Sequence, residues 1–289
     1  MQWSWILGAA GLRTPPGEIR RLYLMGLFFN NFLPSSVGGD LVKVADVAVS
    51  TGQVTRTVAG TLLDRMLDAH PAVASGGELR FFGFAVRQAT GSHELRQFSP
   101  DLFQRAAGTD MTQIGEAYVD LASTLRLEAA HIIDKLPGNY LYLPLILAAL
   151  PNARVIHLRR EPYDACLAIY KQLFADAYLY SYELGELARH YCRYLGLMQT
   201  WRDRFGEHFI EVDYEALVTD TENTVRRVLQ YAGLSWNDAC LDYFNRQAAT
   251  ATASAHQVRE APHRQSVGHW KHFAEQLRPL FQTLDETDD

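Results

Sequence analysis

Cysteine is scarce in this sequence. Its 289 residues include only Cys166, Cys192 and Cys240, which lie far apart and form no Cys-x-x-Cys pair. A disulfide framework needs more cysteines and a zinc site needs closer ones, so this spacing argues against both. We therefore expect a protein of a reducing compartment such as the cytoplasm.

Long apolar segments and an excess of positive charge are also missing. The apolar runs 3–12 and 22–33 are both shorter than the ~18–20 residues that one helix needs to cross a bilayer. No basic region followed by an apolar stretch and a small-residue cleavage site marks a signal peptide. The formal net charge of −6 argues against nonspecific nucleic-acid binding, because no general positive field would attract a polyanion.

The chain does contain enough apolar residues, 48%, for one large α/β domain or two modest ones. From residue 62 onward, short apolar runs alternate with segments of helical periodicity. This alternation is typical of a parallel sheet covered by helices on both faces. The predicted strands are 131–134, 154–158 and 208–212. The longer predicted helices are 140–150, 182–205 and 221–233, the last with Thr221 as N-cap.

Positive charge gathers at the end of one predicted strand. The run Val155 to Leu158 leads into Arg159 and Arg160, and Pro162 can open a helix directly afterwards. In open α/β sheets this carboxyl edge is where anionic ligands bind. The pattern predicts a phosphorylated or sulfated ligand there. The alternative is that both arginines are only solvated charges at a strand end.

Four blocks of the sequence resemble the PAPS-dependent sulfotransferases, whose sulfuryl donor is 3′-phosphoadenosine-5′-phosphosulfate (PAPS). They are IDKLPGNYLYLPLILAALPNARVIHLRREPYDACLAIYKQLF, YSYELGELARHYCRYLGLMQTW, IEVDYEALVTD and TASAHQVREAPHRQSVGHWKHF. The likeness runs from about Leu62 to Leu280 and is similar to the bacterial branch related to tyrosylprotein sulfotransferases. It implies an α/β fold with a three-layer parallel sheet of the P-loop nucleotide-binding type, and PAPS as co-substrate without a metal.

The resemblance implies catalytic roles for three residues. Glu78, at the end of an H-P-x-V-x-x-G-x-E block, would be the general base. Lys135, in a D-K-x-P block, would steady the leaving-group oxygen, and Ser254 would hydrogen-bond the transferring group. Sulfuryl transfer needs a base on the acceptor and cations near the developing charge. The alternatives are a solvated loop carboxylate, a strand-end lysine and an ordinary loop serine.

A second set of residues matches family positions that bind the nucleotide. Arg160 would hold the 3′-phosphate, because a planar guanidinium suits oxyanions, and Tyr214 would line the adenosine side. A closing loop would cover the 3′-phosphate and adenine. The alternatives are core packing for the tyrosine and a surface basic cluster for the loop. The residues of this loop would be Gln257, Arg264, Gly268, Trp270 and Lys271.

The largest departure from the family pattern concerns the donor loop. Sulfotransferases open with a strand followed by a P-R-S-G-T-T loop that cradles the 5′-phosphosulfate. This chain has RTVAGT at 56–61, so only Gly60 and Thr61 remain to bind the donor. The first strand of the fold is therefore degenerate or replaced, and 44–49 is the candidate for its position.

The N-terminal part resembles a different kind of protein. Residues 20–66, which include MGLFFNNFLPSSVGGDLVKVADVAVSTGQ, are similar to a segment of lysylphosphatidylglycerol flippase-like membrane proteins. The resemblance implies a hydrophobic appendage over 1–58 and a sulfotransferase-like domain over 59–289. Because an isolated segment lacks partner helices, it would lie on the following domain or, through residues 1–40, on a membrane surface.

Three hypotheses follow. The first is a sulfotransferase that moves a sulfuryl group from PAPS to a hydroxyl on a peptide tyrosine or a carbohydrate, with acceptor specificity in 81–128. The second, motivated by the degenerate loop, is a catalytically impaired or chimeric remnant that only binds the nucleotide. The third is a membrane-associated interaction protein, motivated by the apolar run 22–33. We adopt the first and expect a cytoplasmic protein with peripheral membrane contact.

Overall fold

The computed structural model describes residues 59–93, 99–172, 178–245 and 266–285, in which helices alternate with short strands. The strands are β1 (Val73–Ser75), β2 (His131–Ile133), β3 (Val155–Arg159) and β4 (Phe209–Asp213). The α-helices are α1 (Ala59–Asp68), α2 (Phe81–Thr90), α3 (Pro100–Ala107), α4 (Met111–Ser123), α5 (Leu143–Ala149), α6 (Pro162–Lys171), α7 (Leu184–Phe205), α8 (Tyr214–Thr219), α9 (Thr221–Ala232) and α10 (Arg278–Asp285). Short 3-10 helices cover Pro137–Tyr142, Leu179–Tyr182, Gly206–His208, Asp238–Cys240, Tyr243–Asn245 and His269–Phe273.

All described strand pairing is parallel, which confirms the predicted α/β class. β1 pairs with β2, and β3 pairs with β4. Among the described residues the four strands thus form two parallel pairs rather than one continuous ladder. The candidate for the first strand, 44–49, lies outside the described residues.

The side chains of β3 and β4 alternate between two environments, as they must in a pleated strand. On one face, apolar residues of both strands belong to a hydrophobic core; they are Ile156, Leu158, Ile210 and Val212. On the other face, polar residues stand opposite each other in register. These cross-strand pairs are His157 with Glu211 and Arg159 with Asp213.

One hydrophobic core underlies both strand pairs. It joins Val73 of β1 and Ile133 of β2 to the apolar face of β3 and β4. Helices α1 and α9 cover it with Leu63, Met66 and Leu67 from α1 and Val225, Val228 and Leu229 from α9. Both strand pairs, and therefore their carboxyl ends, are held by the same hydrophobic core.

Local sequence signals determine several helix starts. The Glu161 carboxylate accepts a hydrogen bond from the Asp164 amide at 2.8 Å, and Pro162 occupies the first turn of α6. The helix start that Pro162 predicts after β3 is thus observed, and Glu161 caps it, which was not predicted. The prediction that Thr221 caps α9 is wrong. Thr221 is the first helical residue and its hydroxyl donates to the Leu217 carbonyl at 2.8 Å.

The helix predicted over 140–150 is divided in two. Residues Pro137–Tyr142 form a 3-10 helix, and α5 begins only at Leu143. Pro144 in the first turn of α5 explains the division, because proline donates no backbone hydrogen bond to the preceding turn.

The contact between α4 and α5 depends on a glycine. A Cβ atom on Gly115 of α4 would lie 2.2 Å from the carbonyl oxygen of Ala149 in α5, so only glycine allows this approach. We expect Gly115→Ala to lower the free energy of unfolding by about 1–3 kcal/mol, as overpacking does. Gly196→Ala in α7 is the matched control, because nothing lies within 4 Å of its Cβ position.

The control should stabilise the protein by about 0.5–1 kcal/mol, since alanine favours helix over glycine. Chemical denaturation of both variants measures the two changes. Equal effects of the same sign would show that the α4–α5 contact does not limit packing at Gly115.

Candidate functional site

The ends of β1 and β2 bring two predicted catalytic residues into contact. Beyond the strands, the Gly76 amide donates to the Ile133 carbonyl at 2.9 Å. The Lys135 amide then donates to the Gly77 carbonyl at 2.8 Å. These bonds continue the parallel pairing, so that Lys135 Nζ donates to Glu78 Oε1 at 2.5 Å.

This ion pair is open on the side of the carboxylate. The side chain of Glu78 is 42% exposed, whereas that of Lys135 is 16% exposed. The carboxylate is therefore accessible to an incoming molecule while its cationic partner is held mostly inside the protein. A pair in this position can accept a proton at one atom and stabilise negative charge at the other.

The turn before Glu78 requires both of its glycines. A Cβ on Gly76 would lie 2.9 Å from Leu79 Cδ1 and 3.1 Å from the Ile133 carbonyl oxygen. Gly77 has φ +73°, which side-chain-bearing residues rarely adopt. The two glycines thus form the turn that presents Glu78, and this turn fixes where the carboxylate leaves the backbone.

A buried aspartate under this turn was not predicted. Asp64 of α1 is 8% exposed and accepts a hydrogen bond from the Ser75 hydroxyl at 2.7 Å. Burial raises the pKa of Asp64, and the Ser75 bond and the positive charge of Lys135 work in the opposite direction. The signal in the sequence was an acidic residue inside the apolar run L-L-D-R-M-L. Asp64 adds a second carboxylate near the Lys135 ammonium group.

The loop that carries Lys135 is held from its other side by Asp134. The Tyr118 hydroxyl donates to Asp134 at 3.1 Å, and Asn139 donates at 3.4 Å. Burial raises the pKa of Asp134 to about 6, although the bond from Tyr118 lowers it. Helix α4 therefore fixes the backbone directly before the lysine.

The two arginines after β3 have different surroundings. Arg159 donates to Asp213 Oδ1 at 2.7 and 3.0 Å and lies 3.4 Å from Glu211, so it is an ion-paired charge at the strand end and not only a solvated one. Arg160 instead donates to the Ser266 carbonyl at 2.7 Å. Its guanidinium carbon lies 5.1 Å from the ring centroid of Tyr214, in a cation–π contact.

Arg160 retains hydrogen-bonding capacity. Within the described part of the chain, its Nε is buried and has no hydrogen-bond partner. A buried guanidinium N–H without a partner is costly, and an anionic oxygen is the partner that suits it best. Arg160 and Tyr214 thus occupy neighbouring positions that fit an anionic ligand with an aromatic part.

Three residues of the predicted closing loop lie close to α6. Gly268 has φ +69°, and its amide and that of Trp270 both donate to the buried Asp164. The Trp270 ring packs on Tyr163, with ring centroids 4.8 Å apart. The side chain of Lys271 lies over Gly268. Trp270 therefore serves packing, and Lys271 adds positive charge beside Gly268.

Gly60 and Thr61, the remnant of the donor loop, lie in the first turn of α1. Thr61 is 2% exposed, and among the described residues its hydroxyl has no hydrogen-bond partner. A buried hydroxyl without a partner is uncommon and costs stability. Thr61 is thus a second buried polar group, besides Arg160, that a bound ligand could satisfy.

Other predicted site residues lie outside the described residues. They are Ser254, Gln257 and Arg264, together with positions 56–58 of the donor loop. The described contacts therefore form two groups, Glu78 with Lys135 and Arg160 with Tyr214. The segment that carries Gly268, Trp270 and Lys271 meets the second group through the bond from Arg160 to the Ser266 carbonyl. Both groups follow the carboxyl ends of parallel strands, so this edge of the α/β structure presents a carboxylate–ammonium pair and an arginine beside an aromatic ring.

Comparison with known proteins identifies the family. The sequence profile of the Sulfotransferase family matches residues 59–238, so this chain belongs to that family. It is 30% identical over 241 residues to an uncharacterized protein from Aquifex aeolicus and 24% identical over 200 residues to a protein-tyrosine sulfotransferase from Drosophila melanogaster. These alignments cover 78% and 63% of this chain and 31% and 37% of the relatives. The chain thus spans about a third of the length of these curated relatives.

Two solved structures are similar to the chain as well. The sulfotransferase domain from the curacin biosynthetic pathway has a TM-score of 0.48 at 12% identity, and the alignment covers 78% of this chain and 93% of that domain. The sulfotransferase domain of the Synechococcus PCC 7002 olefin synthase has a TM-score of 0.44 at 21% identity, with coverages of 75% and 90%.

The resemblance of residues 20–66 to flippase-like proteins is supported by none of these comparisons. It falls almost entirely on residues 1–58, outside the described residues. In the part of the chain that the structure describes, no helix has both the length and the apolar character required to cross a bilayer.

Proposed function

We propose that this protein transfers a sulfuryl group from PAPS to a hydroxyl group of its acceptor. Membership of the Sulfotransferase family supports this class of reaction. The contact between Glu78 and Lys135 is the observation that carries the proposal, because it joins a base and a cation at the edge of parallel strands. Both residues match the family blocks in which a base and a cation are expected.

In the proposed reaction, the Glu78 carboxylate accepts the proton of the acceptor hydroxyl. The acceptor oxygen then bonds to sulfur as the bond between sulfur and the 5′-phosphate oxygen of the nucleotide breaks. Negative charge develops on that leaving oxygen, and the Lys135 ammonium stabilises it. Ser254 would hydrogen-bond the transferring group. The products are the sulfated acceptor and adenosine 3′,5′-bisphosphate.

The nucleotide would occupy the second group of residues. Within the described residues the Nε of Arg160 has no hydrogen-bond partner, which supports binding of the 3′-phosphate. The ring of Tyr214 supports contact with the adenosine side. Lys271, Gln257 and Arg264 would add contacts from the closing loop. Gly60 and Thr61 would face the 5′-phosphosulfate. The buried Thr61 hydroxyl supports that assignment, because it has no hydrogen-bond partner among the residues that the structure describes.

We propose peptide tyrosine as the first acceptor to test and carbohydrate as the second. The relative from Drosophila melanogaster is a protein-tyrosine sulfotransferase, which supports a tyrosine hydroxyl. The open side of the Glu78 carboxylate leaves room for an acceptor of either kind.

The family match begins at residue 59, and this supports a domain boundary there, with 1–58 as an appendage. Peripheral membrane contact through residues 1–40 belongs to this proposal as well. It rests on the apolar run 22–33 of the sequence.

The test is a transfer assay with radiolabelled PAPS and a mixture of tyrosine peptides and carbohydrates. We expect label on an acceptor together with stoichiometric release of adenosine 3′,5′-bisphosphate. Calorimetry with that nucleotide separates the alternatives. Binding without transfer would favour the catalytically impaired remnant, and the absence of both binding and transfer would refute the sulfotransferase and the remnant alike.

A further inference from the structure

Helix α6 contains a fully buried carboxylate that the proposed reaction does not use. Asp164 lies in its first turn and is 1% exposed. Its Oδ2 accepts from the Gly268 amide at 2.6 Å, and its Oδ1 accepts from the Trp270 amide at 2.8 Å. Burying a carboxylate is costly unless such bonds compensate it. These two bonds span more than a hundred residues and dock a C-terminal segment onto α6.

The two amides face the carboxylate because of the local backbone. Gly268 is in the left-handed region, φ +69°, and directly precedes the 3-10 helix His269–Phe273. A left-handed residue followed by a helical turn points successive amides into one concavity that binds anions. Asp164 fills this concavity. A nucleotide phosphate beside the segment must therefore be bound by side chains and not by these backbone amides.

The docked segment also contacts Arg160. The carbonyl of Ser266, two residues before Gly268, accepts the hydrogen bond from Arg160 at 2.7 Å. Trp270 adds apolar contact through Tyr163 and Phe281, whose ring centroids lie 4.8 and 5.3 Å from its own. The segment that Asp164 holds is thus the one that orients Arg160 and carries Lys271.

We propose that Asp164 is a positioning residue for the donor nucleotide. It anchors the segment 266–273 to α6 and in this way sets the geometry of Arg160 and Lys271. This inference rests on the proposed function, because it takes these two side chains as nucleotide ligands. Asp164 itself would contact neither the donor nor the acceptor, because both of its oxygens already accept hydrogen bonds from backbone amides.

Asp164→Asn tests the inference, because an amide keeps the shape of the side chain but turns one acceptor into a donor. Because that donor faces a backbone N–H, one of the two hydrogen bonds from the Gly268 and Trp270 amides is lost. We expect the affinity for adenosine 3′,5′-bisphosphate to fall ~10-fold, as loss of one strong hydrogen bond implies. Where transfer is measurable, the KM for PAPS should rise by the same factor, with kcat at saturating PAPS within about twofold.

Hydrogen exchange supplies a readout that needs no nucleotide. Amides of 266–273 should exchange faster in Asp164→Asn than in the parent protein. Gly268→Ala strains the backbone that donates to Asp164, because Gly268 has a positive φ. Amides of 266–273 should exchange faster in this variant as well, so it tests the inference if Asp164→Asn does not fold. Asp203→Asn is the control, because this exposed aspartate of α7 accepts a hydrogen bond from Gln199 on its own helix.

The outcomes are distinguishable from those of the proposed function. Unchanged exchange in 266–273, or unchanged nucleotide affinity in both variants, would overturn the positioning role of Asp164. A parent protein that binds the nucleotide but transfers nothing would overturn only the proposed reaction. A fall in kcat at saturating PAPS without a change in KM would likewise contradict a role in donor positioning.

Discussion

Glu78→Gln should reduce sulfuryl transfer by ~10²–10⁴-fold, the usual contribution of a general base. The amide has nearly the same size as the carboxylate but cannot accept a proton from the acceptor hydroxyl. Since the Glu78 side chain is 42% exposed, its ion pair with Lys135 contributes little to stability. Thermal unfolding should therefore be nearly unchanged, and the loss should appear in kcat.

A matched control uses the same chemical change at an ion pair away from the site. Glu222 of α9 pairs with Arg226 at 2.7 Å and is 54% exposed. Glu222→Gln should leave transfer at the parent rate. Nucleotide affinity should be unaffected in both variants, because Glu78 belongs to the acceptor side. Parent-like kcat in Glu78→Gln would remove Glu78 from the reaction and leave the base unassigned.

Arg160→Ala should weaken binding of adenosine 3′,5′-bisphosphate by ~10–100-fold, because a hydrogen bond to a charged group is worth about 1.5–3 kcal/mol. The guanidinium presents several donors in one plane, whereas lysine offers a single charged point. Arg160→Lys should therefore recover only part of the affinity. Calorimetry at two salt concentrations measures both effects, and the difference between parent and variant should shrink as salt rises.

The neighbouring arginine is the control for charge. Arg159→Ala removes the same group, but this guanidinium is already paired with Asp213 and Glu211. Its loss should lower stability more than nucleotide affinity. If Arg159→Ala and Arg160→Ala weakened binding equally, nonspecific attraction would explain the affinity, and no defined contact with Arg160 would be needed.

The contrast between these arginines shows where sequence reasoning ends. The apolar run 155–158 predicts β3 and Pro162 predicts the start of α6, and both are observed because these signals are local. The sequence analysis treated both arginines alike, although adjacent residues of an extended chain point to opposite sides and therefore meet different neighbours. Which one is paired depends on Asp213, a residue 54 positions later that no local pattern connects to β3.

The site was predictable to a similar extent. The blocks around Glu78 and Lys135 suggested a base and a cation, and the structure places them in contact across 57 residues. Asp164 was missed, although it shares the apolar face of α6 with Leu167, three residues later. A carboxylate on such a face signals a buried partner. Its partners, backbone amides at Gly268 and Trp270, carry no side-chain signature and could not be found from residue types.

The cross-strand pairs of β3 and β4 determine the register in which these two strands pair. His157 bonds to Glu211 at 2.9 Å, and Arg202 of α7 reaches the same carboxylate at 3.0 Å. Sliding β3 by a single residue would bring Glu211 opposite an apolar side chain and turn every side chain of β3 to the wrong face. Hydrogen bonds and ion pairs between polar side chains thus fix the alignment of a ladder of only five residues. Arg160 directly follows β3. The polar pairs between β3 and β4 therefore also determine the position of the Arg160 guanidinium.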